Sequence, residues 1–241
     1  MEPQTRPEQT AGFPRASVDL DVLLGVLAHE LRTPITTIYA GSAVLARDDD
    51  LLPAMRRELA ADVYAEAARL FRAVEDLLVL TRLERHALIL SREPISLIRA
   101  VDAAAQMEAS RWPGLRPVLR LNGSPSPVAG DGNSLAQVLR NLISNIGWRA
   151  HGPTDLEIAI TPIDDRVTCR LTDATDTLLP GDLPTLFDLP AVPPRPGLTS
   201  PGLAMYVAGQ LIRAMRGDTW ARRDGLGRVE IGFSLPRYEA A

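Results

Sequence analysis

The sequence predicts an α+β fold: an antiparallel two-helix hairpin that dimerises into a four-helix bundle, followed by an α/β sandwich. Two changes of texture along the chain predict it. Over residues 19–85 apolar side chains recur at alternating three- and four-residue steps, the spacing that keeps one helical stripe facing a partner. From about residue 93 helical stretches alternate with short β-type runs, a pattern of hairpins beside helices rather than of a parallel doubly wound sheet.

The first helix is expected over 19–47, with Leu20, Leu23, Leu24, Leu27, Leu31, Ile35 and Ile38 on its stripe. The acidic run 48–50 and then Leu51, Leu52 and Pro53 make a turn. A second helix follows over 54–85, marked by Leu59, Val63, Leu70, Val74, Leu77 and Thr81. A hairpin alone buries too little, so pairing of two hairpins is its natural completion. Further helices are expected at 98–110, 131–149 and 200–216, and strands at 117–121, 156–162, 167–171 and 228–235. Residues 178–199, rich in proline and glycine, read as a long loop or lid. Three units result: a flexible segment 1–18, a helical domain 19–90 and a sandwich domain 91–241.

Composition narrows the function. Hydrophobic residues make up 46% and charged residues 23%, with a formal net charge of −4, which suits a globular protein. All 26 basic residues are arginines, spread among acids with no basic tract, so nucleic acid is not an expected partner. The longest apolar neighbourhood, VLLGVLAHELRTPI, is interrupted by His29, Glu30 and Arg32, and the polar N-terminus lacks an apolar signal core. The expectation is a cytoplasmic protein with no membrane segment. Cys169, the lone cysteine, is read as a buried strand thiol.

One turn of the first helix gathers reactive groups. At about 100° per residue, His29 lies roughly opposite Leu20 and so points away from the packing stripe. Glu30 adjoins it, and Thr33 follows four residues on, on the same face. Pro34 deletes the backbone donor for the carbonyl of Glu30, at about 3 kcal/mol in a helix interior, and is expected to bend the helix there. The contiguous AHELRTPITTI resembles the H-box of two-component histidine kinases, which opens their dimerisation and phosphotransfer domain. The resemblance implies that His29 is the phosphoacceptor, that Glu30 is the general base on its second ring nitrogen, and that Thr33 positions water for phosphatase action. It also implies a homodimer, a response-regulator receiver domain as partner and a separate sensor protein as a further one. His86 and His151 have no such company and are read as surface residues.

The second half carries weaker matches. In QVLRNLISNI, Asn141 and Asn145 lie one helical turn apart, where two carboxamides could offer oxygen to a hard cation. Following an H-box, this resembles the N-box of the kinase ATP-binding domain, a sandwich of Bergerat ATPase type. The resemblance implies ATP as substrate and Mg²⁺ as cofactor, with Asn145 as the Mg²⁺ ligand and Asn141 beside the phosphates. The family has a basic residue and then an aromatic shortly afterwards; here Trp148 and Arg149 stand in swapped order, and Arg149 is expected to reach the phosphates. Asp173 matches the acid that accepts a hydrogen bond from the adenine amine, but Thr175 and Thr177 replace the glycines after it. LPTLFD resembles the F-box, with Phe187 as its packing aromatic. In the last glycine-rich box only Gly202 survives, after Ser200 and Pro201, which read as a helix start.

Two activities follow from these residues. The intact H-box, Asn145 and Asp173 point to an ATP-dependent histidine kinase that phosphorylates His29 and passes the group to a receiver aspartate. The lost glycines point to a kinase-derived phosphotransfer or phosphatase module that no longer binds ATP.

Overall fold

The hairpin consists of α1 (Leu20–Arg47) and α2 (Pro53–Glu84) in a computed structural model that describes residues 20–47, 51–85, 87–150, 152–175, 178–189 and 202–239. Proline at the first position of α2 suits a helix start, since its missing N–H is one of the unpaired donors there. Close approach of the two helices depends on Gly41: a Cβ there would lie 2.5 Å from Val63 Cγ2. Pro34 is buried, and α1 runs through it as one helix rather than ending. Just after it, the Thr36 hydroxyl donates to the Arg32 carbonyl at 2.8 Å and the Thr37 hydroxyl to that of Thr33 at 3.2 Å. Such back-bonding accommodates local bending.

The sandwich is built from β1 (Glu93–Ile95), α3 (Leu97–Arg111), β2 (Leu115–Leu121), β3 (Val128–Gly130), α4 (Gly132–Arg149), β4 (Thr154–Ile163), β5 (Arg166–Asp173), α5 (Gly202–Ala214), β6 (Asp218–Arg223) and β7 (Val229–Pro236). Five strands form a mixed sheet in the order β2-β4-β5-β7-β6; β2 and β4 are parallel and every other pair is antiparallel. The short β1 and β3 pair separately. Side chains alternate across the sheet: Val229, Ile231, Phe233 and Leu235 enter the core, while Glu230 and Ser234 lie on the other face. There Glu230 accepts hydrogen bonds from Trp220 Nε1 and Arg222 Nε, both at 2.9 Å, which closes the outer surface over β7.

The fold class is as expected from sequence, with particular differences. The strands β1 and β3, three residues each, and the polar β6 have no alternating apolar run, and they are held by pairing with neighbours that the sequence does not display. Of the proposed lid, residues 178–189 hold a 3₁₀ turn (Pro180–Asp182) and bury Leu178, Leu183, Leu186 and Phe187, the last packed against Gly209 of α5. Ser200 and Pro201, read as a helix start, lie outside the described residues, as do Thr177, His86 and His151. Hairpin and sandwich share one core: Leu23, Leu27, Val79 and Leu80 belong to the same buried cluster as Leu203 and Val207 of α5. Cys169 is buried in β5, and burial pushes its thiol up to about 12, so it stays protonated and inert.

Candidate functional site

The docking of the hairpin on the sandwich brings the candidate residues into one region, but not as a nucleotide seat. Asp131 caps α4, its carboxylate accepting from the Ser134 N–H at 2.8 Å, and the apolar side of that helix (Leu135, Val138, Leu139, Leu142, Ile143, Ile146) is fully buried. That packing fixes where the intervening polar residues point. Asn141 turns toward the hairpin. Its amide donates to Asp76 Oδ1 at 3.1 Å and to the Ala204 carbonyl at 3.0 Å. Asp76 Oδ1 also accepts from Gln137 Nε2 at 2.7 Å, and Arg140 pairs with Glu75 at 3.0 Å.

Arg149 turns inward. Its Nε donates to Asn145 Oδ1 at 3.0 Å, one terminal nitrogen to the Thr175 hydroxyl at 2.9 Å, and the other to Asp173 Oδ2 at 3.2 Å. The ion pair with Asp173 is sealed, with both side chains 0% exposed. The Thr175 hydroxyl and backbone N–H both donate to Asp173 Oδ1. Burial pushes the Arg149 guanidinium below its ordinary value and the Asp173 charge opposes that shift.

This arrangement does not fit ATP with Mg²⁺. The carboxamide oxygen of Asn145 that would bind the cation already accepts from a cation. The Asp173 carboxylate, which would accept from adenine, already accepts from Thr175 at Oδ1 and from Arg149 at Oδ2. A guanidinium fills the space between them. Arg149 sits four residues after Asn145 on α4, so it faces the same buried side and pairs with Asp173 there, the place where the sequence expects it to reach phosphate.

At the other end, Gly202 opens α5 with φ +64°, a conformation that favours glycine, and a Cβ on it would collide with the Glu30 carboxylate. Glu30 Oε1 accepts from the Leu203 N–H at 3.3 Å. The H-box acid therefore occupies the helix N-terminus, where an anion is favoured. His29 is half-buried and Thr33 exposed. Among the described residues no hydrogen bond joins either side chain to the other candidates. Asp76, Gln137 and Thr175 contact the candidate residues although no motif marked them as such; the one sequence signal for Thr175 is its place where the family has glycine.

Burial raises both Glu30 and Asp76 above the ordinary carboxylate range. The folded state thus holds protons that the unfolded chain releases. Their contribution to stability is full below the usual carboxylate pKa of about 4 and is lost as pH rises through their raised folded values. Thermal melting of the chain between acid and neutral pH is expected to show this loss. Asp76→Asn, which keeps an oxygen to accept from Gln137 and Asn141, is expected to flatten the curve.

A helical hairpin with a histidine on its first helix, docked to a five-stranded sheet backed by α3, α4 and α5, defines the core architecture of histidine kinases. Residues 19–86 match the His Kinase A (phospho-acceptor) domain. The chain is 30% identical over 224 residues to the sensor histidine kinase TrcS of Mycobacterium tuberculosis, covering 88% of this chain and 43% of TrcS. It is 28% identical over 229 residues to the sensor histidine kinase CpxA of Escherichia coli, covering 90% of this chain and 47% of CpxA. The chain therefore spans less than half the length of these relatives. The solved histidine kinase AdeS of Acinetobacter baumannii shares the fold, with a TM-score of 0.66 at 24% identity over 88% of this chain and 98% of that one. A structure of histidine kinase ThkA in complex with the response regulator protein TrrA aligns with a TM-score of 0.63 at 18% identity, over 91% of this chain and 62% of that one. Residues 19–86 are a His Kinase A (phospho-acceptor) domain, and the chain as a whole is similar to the core of sensor histidine kinases. No helix among the described residues is long and apolar enough to cross a membrane.

Proposed function

We propose that the chain is a histidine phosphotransfer module in which His29 exchanges a phosphoryl group with a receiver-domain aspartate, and in which the ATPase-type sandwich serves as a docked structural partner rather than a nucleotide site. The observation that carries this reading is the buried Arg149 guanidinium bound at once to Asn145, Thr175 and Asp173. In the transfer, the acyl-phosphate P–O bond of the receiver breaks, a P–N bond to the imidazole forms, the aspartate leaves as carboxylate, and the other ring nitrogen releases its proton. His29, half-buried and unencumbered by hydrogen bonds, can present a nitrogen to an incoming domain. Glu30 is committed to α5 in this docked state, so water takes the proton. The test is to offer the full chain either labelled ATP with Mg²⁺ or receiver domains charged with labelled acetyl phosphate. Label from the receiver alone is expected; equal labelling from ATP overturns the reading.

A second reading, ATP-driven phosphorylation of His29, draws on one observation: Asn141 and Asn145 on α4 and Asp173 at the end of β5 are all buried, and Asn145 and Asp173 are joined through Arg149. It requires Arg149 to leave its pocket.

The module is proposed to act as a homodimer. On α2 the large side chains Tyr64, Phe71, Val74 and Leu78 recur at steps of seven, three and four and remain exposed, as do Leu24, Ile35 and Tyr39 on α1. An apolar stripe of that spacing fits a helix-bundle partner. Phe71, 66% exposed in the single chain, touches little within it. Phe71→Glu is therefore expected to leave the monomer folded and shift light-scattering mass from dimer to monomer.

A further inference from the structure

The inner side of α3 is buried through Leu97, Val101 and Ala105, and that of α4 through Leu135, Val138 and Leu139. On the outer side the residues that face each other are Ala100, Ala104 and Ala136, too short to fill the space between two packed helices. A groove of about 640 Å³ results, walled by Ile95 and by Met107, which is 64% exposed. That volume suits a small molecule, and a mainly apolar lining with a few polar groups is what such sites share. Its inward polar groups are Arg140 from α4 and Glu108 from α3. One terminal nitrogen of Arg140 pairs with Glu75 of α2 at 3.0 Å, so its charge is matched, but its Nε is buried with no hydrogen-bond partner. Glu108, 1% exposed, accepts from Trp112 Nε1 at 3.3 Å. Arg99 and Asp102 on the rim are exposed and opposite in sign, and Asp102 accepts from Gln106 Nε2 at 2.9 Å.

An N–H shut away from water without an acceptor forfeits a hydrogen bond, and native folds rarely leave one so. What is unmet in this groove is a donor and not a charge. The cations Arg99 and Arg140 are balanced by Asp102 and Glu108, and Glu75 adds a third acid on Arg140. An anion therefore finds no net positive charge there, whereas an uncharged oxygen finds a waiting donor. We infer that the groove binds a neutral, largely apolar small molecule whose carbonyl-type oxygen accepts from Arg140 Nε while its body lies on Ala100, Ala104, Ala136 and Met107. The flexible, polarisable Met107 side chain can fold over such a body. Asn141, Asn145 and Gly202 do not line this groove, and the inference is independent of where the phosphoryl group on His29 comes from.

The experiment is fluorescence titration of the full chain with prodan, a neutral naphthalene ketone, beside the corresponding naphthoate, in which a carboxylate replaces the ketone. Saturable binding of the ketone is expected, tighter than that of the naphthoate. Ala136→Trp, which fills the groove from an exposed helix position, should abolish it. Arg140→Lys keeps a cation for Glu75 but removes Nε, and should weaken binding about five-fold or more. Glu75→Gln removes the ion pair but keeps Nε, and should leave the affinity within about two-fold, which separates the hydrogen bond from the contact with α2. Melting curves of the variants matching the wild type would exclude unfolding as the cause. Phe71→Glu should bind the ketone as the parent does; loss of binding there, with binding retained in Ala136→Trp, would put the probe on the exposed stripe of α2 and overturn the assignment. So would the absence of saturable ketone binding, tighter binding of the naphthoate, or an affinity unchanged in Arg140→Lys.

Discussion

Arg149→Ala is expected to give a chain that binds ATP where the parent does not, and to lower its stability while doing so. Removing one member of a buried ion pair strands the other, which costs about 3–5 kcal/mol; here Asp173 would be left at the base of the emptied pocket with only Thr175 donating to it. The same vacancy frees Asn145 Oδ1 from its guanidinium. A ligand with an amine for Asp173 and a Mg²⁺-phosphate group for Asn145 then replaces what the arginine supplied. Thermal melting with and without Mg-ATP measures both effects together. The parent is expected to melt at one temperature regardless of nucleotide. The variant should melt lower without ATP and recover with it, since a ligand at a hundred times its Kd adds about 2.7 kcal/mol. Arg149→Tyr, which places an aromatic where the family has one, should bind more tightly than Arg149→Ala. If the parent itself is stabilised by Mg-ATP, the guanidinium is a movable gate and the ATP-driven reading holds.

The hairpin was legible because its information is local. A stripe at three- and four-residue steps specifies helix and face, and AHELRTPITTI marks the turn proposed to carry the chemistry. The sandwich was legible where strands alternate, as in β4 and β5, and illegible where three residues are held by a partner distant in sequence, as in β1 with β3. The nucleotide half shows the limit more sharply. Each of Asn145, Arg149 and Asp173 was visible as a candidate, but their mutual distances were not. Whether Arg149 points outward or inward depends on β5 ending beneath α4, and on Thr175 adding an acceptor where glycine would leave room. Thr175 and Arg149, two separate departures from the family pattern in the sequence, meet in one hydrogen bond in the structure. Glu30 is a second case. Its neighbourhood in the sequence is His29, yet its hydrogen bond is to Leu203, 173 residues later, so a role assigned from adjacency alone meets a competing partner once the domains dock.

His29→Gln is expected to abolish phosphoryl loading entirely, whichever donor is used, without unfolding the chain. Glutamine approximates the size and polarity of a neutral imidazole, but its amide is not a nucleophile at neutral pH. His29 makes no hydrogen bond among the described residues and is half-exposed, so the substitution should change stability by no more than about 0.5 kcal/mol. The readout is acid-labile, base-stable label on the chain after incubation with a charged receiver, alongside dephosphorylation of that receiver. These two signals separate transfer from hydrolysis. Loss of label with continued receiver dephosphorylation would mean that the chain directs water to the acyl phosphate, a reaction for which Thr33 is exposed one turn from His29; Thr33→Ala should then remove what remains. Loss of both signals would make the histidine obligatory for turnover, with the phosphoimidazole as the intermediate. Label retained in His29→Gln would place the acceptor elsewhere and remove the basis for assigning the H-box turn its chemistry, because no other histidine in the chain has an acid beside it and a hydroxyl on its own face one turn away.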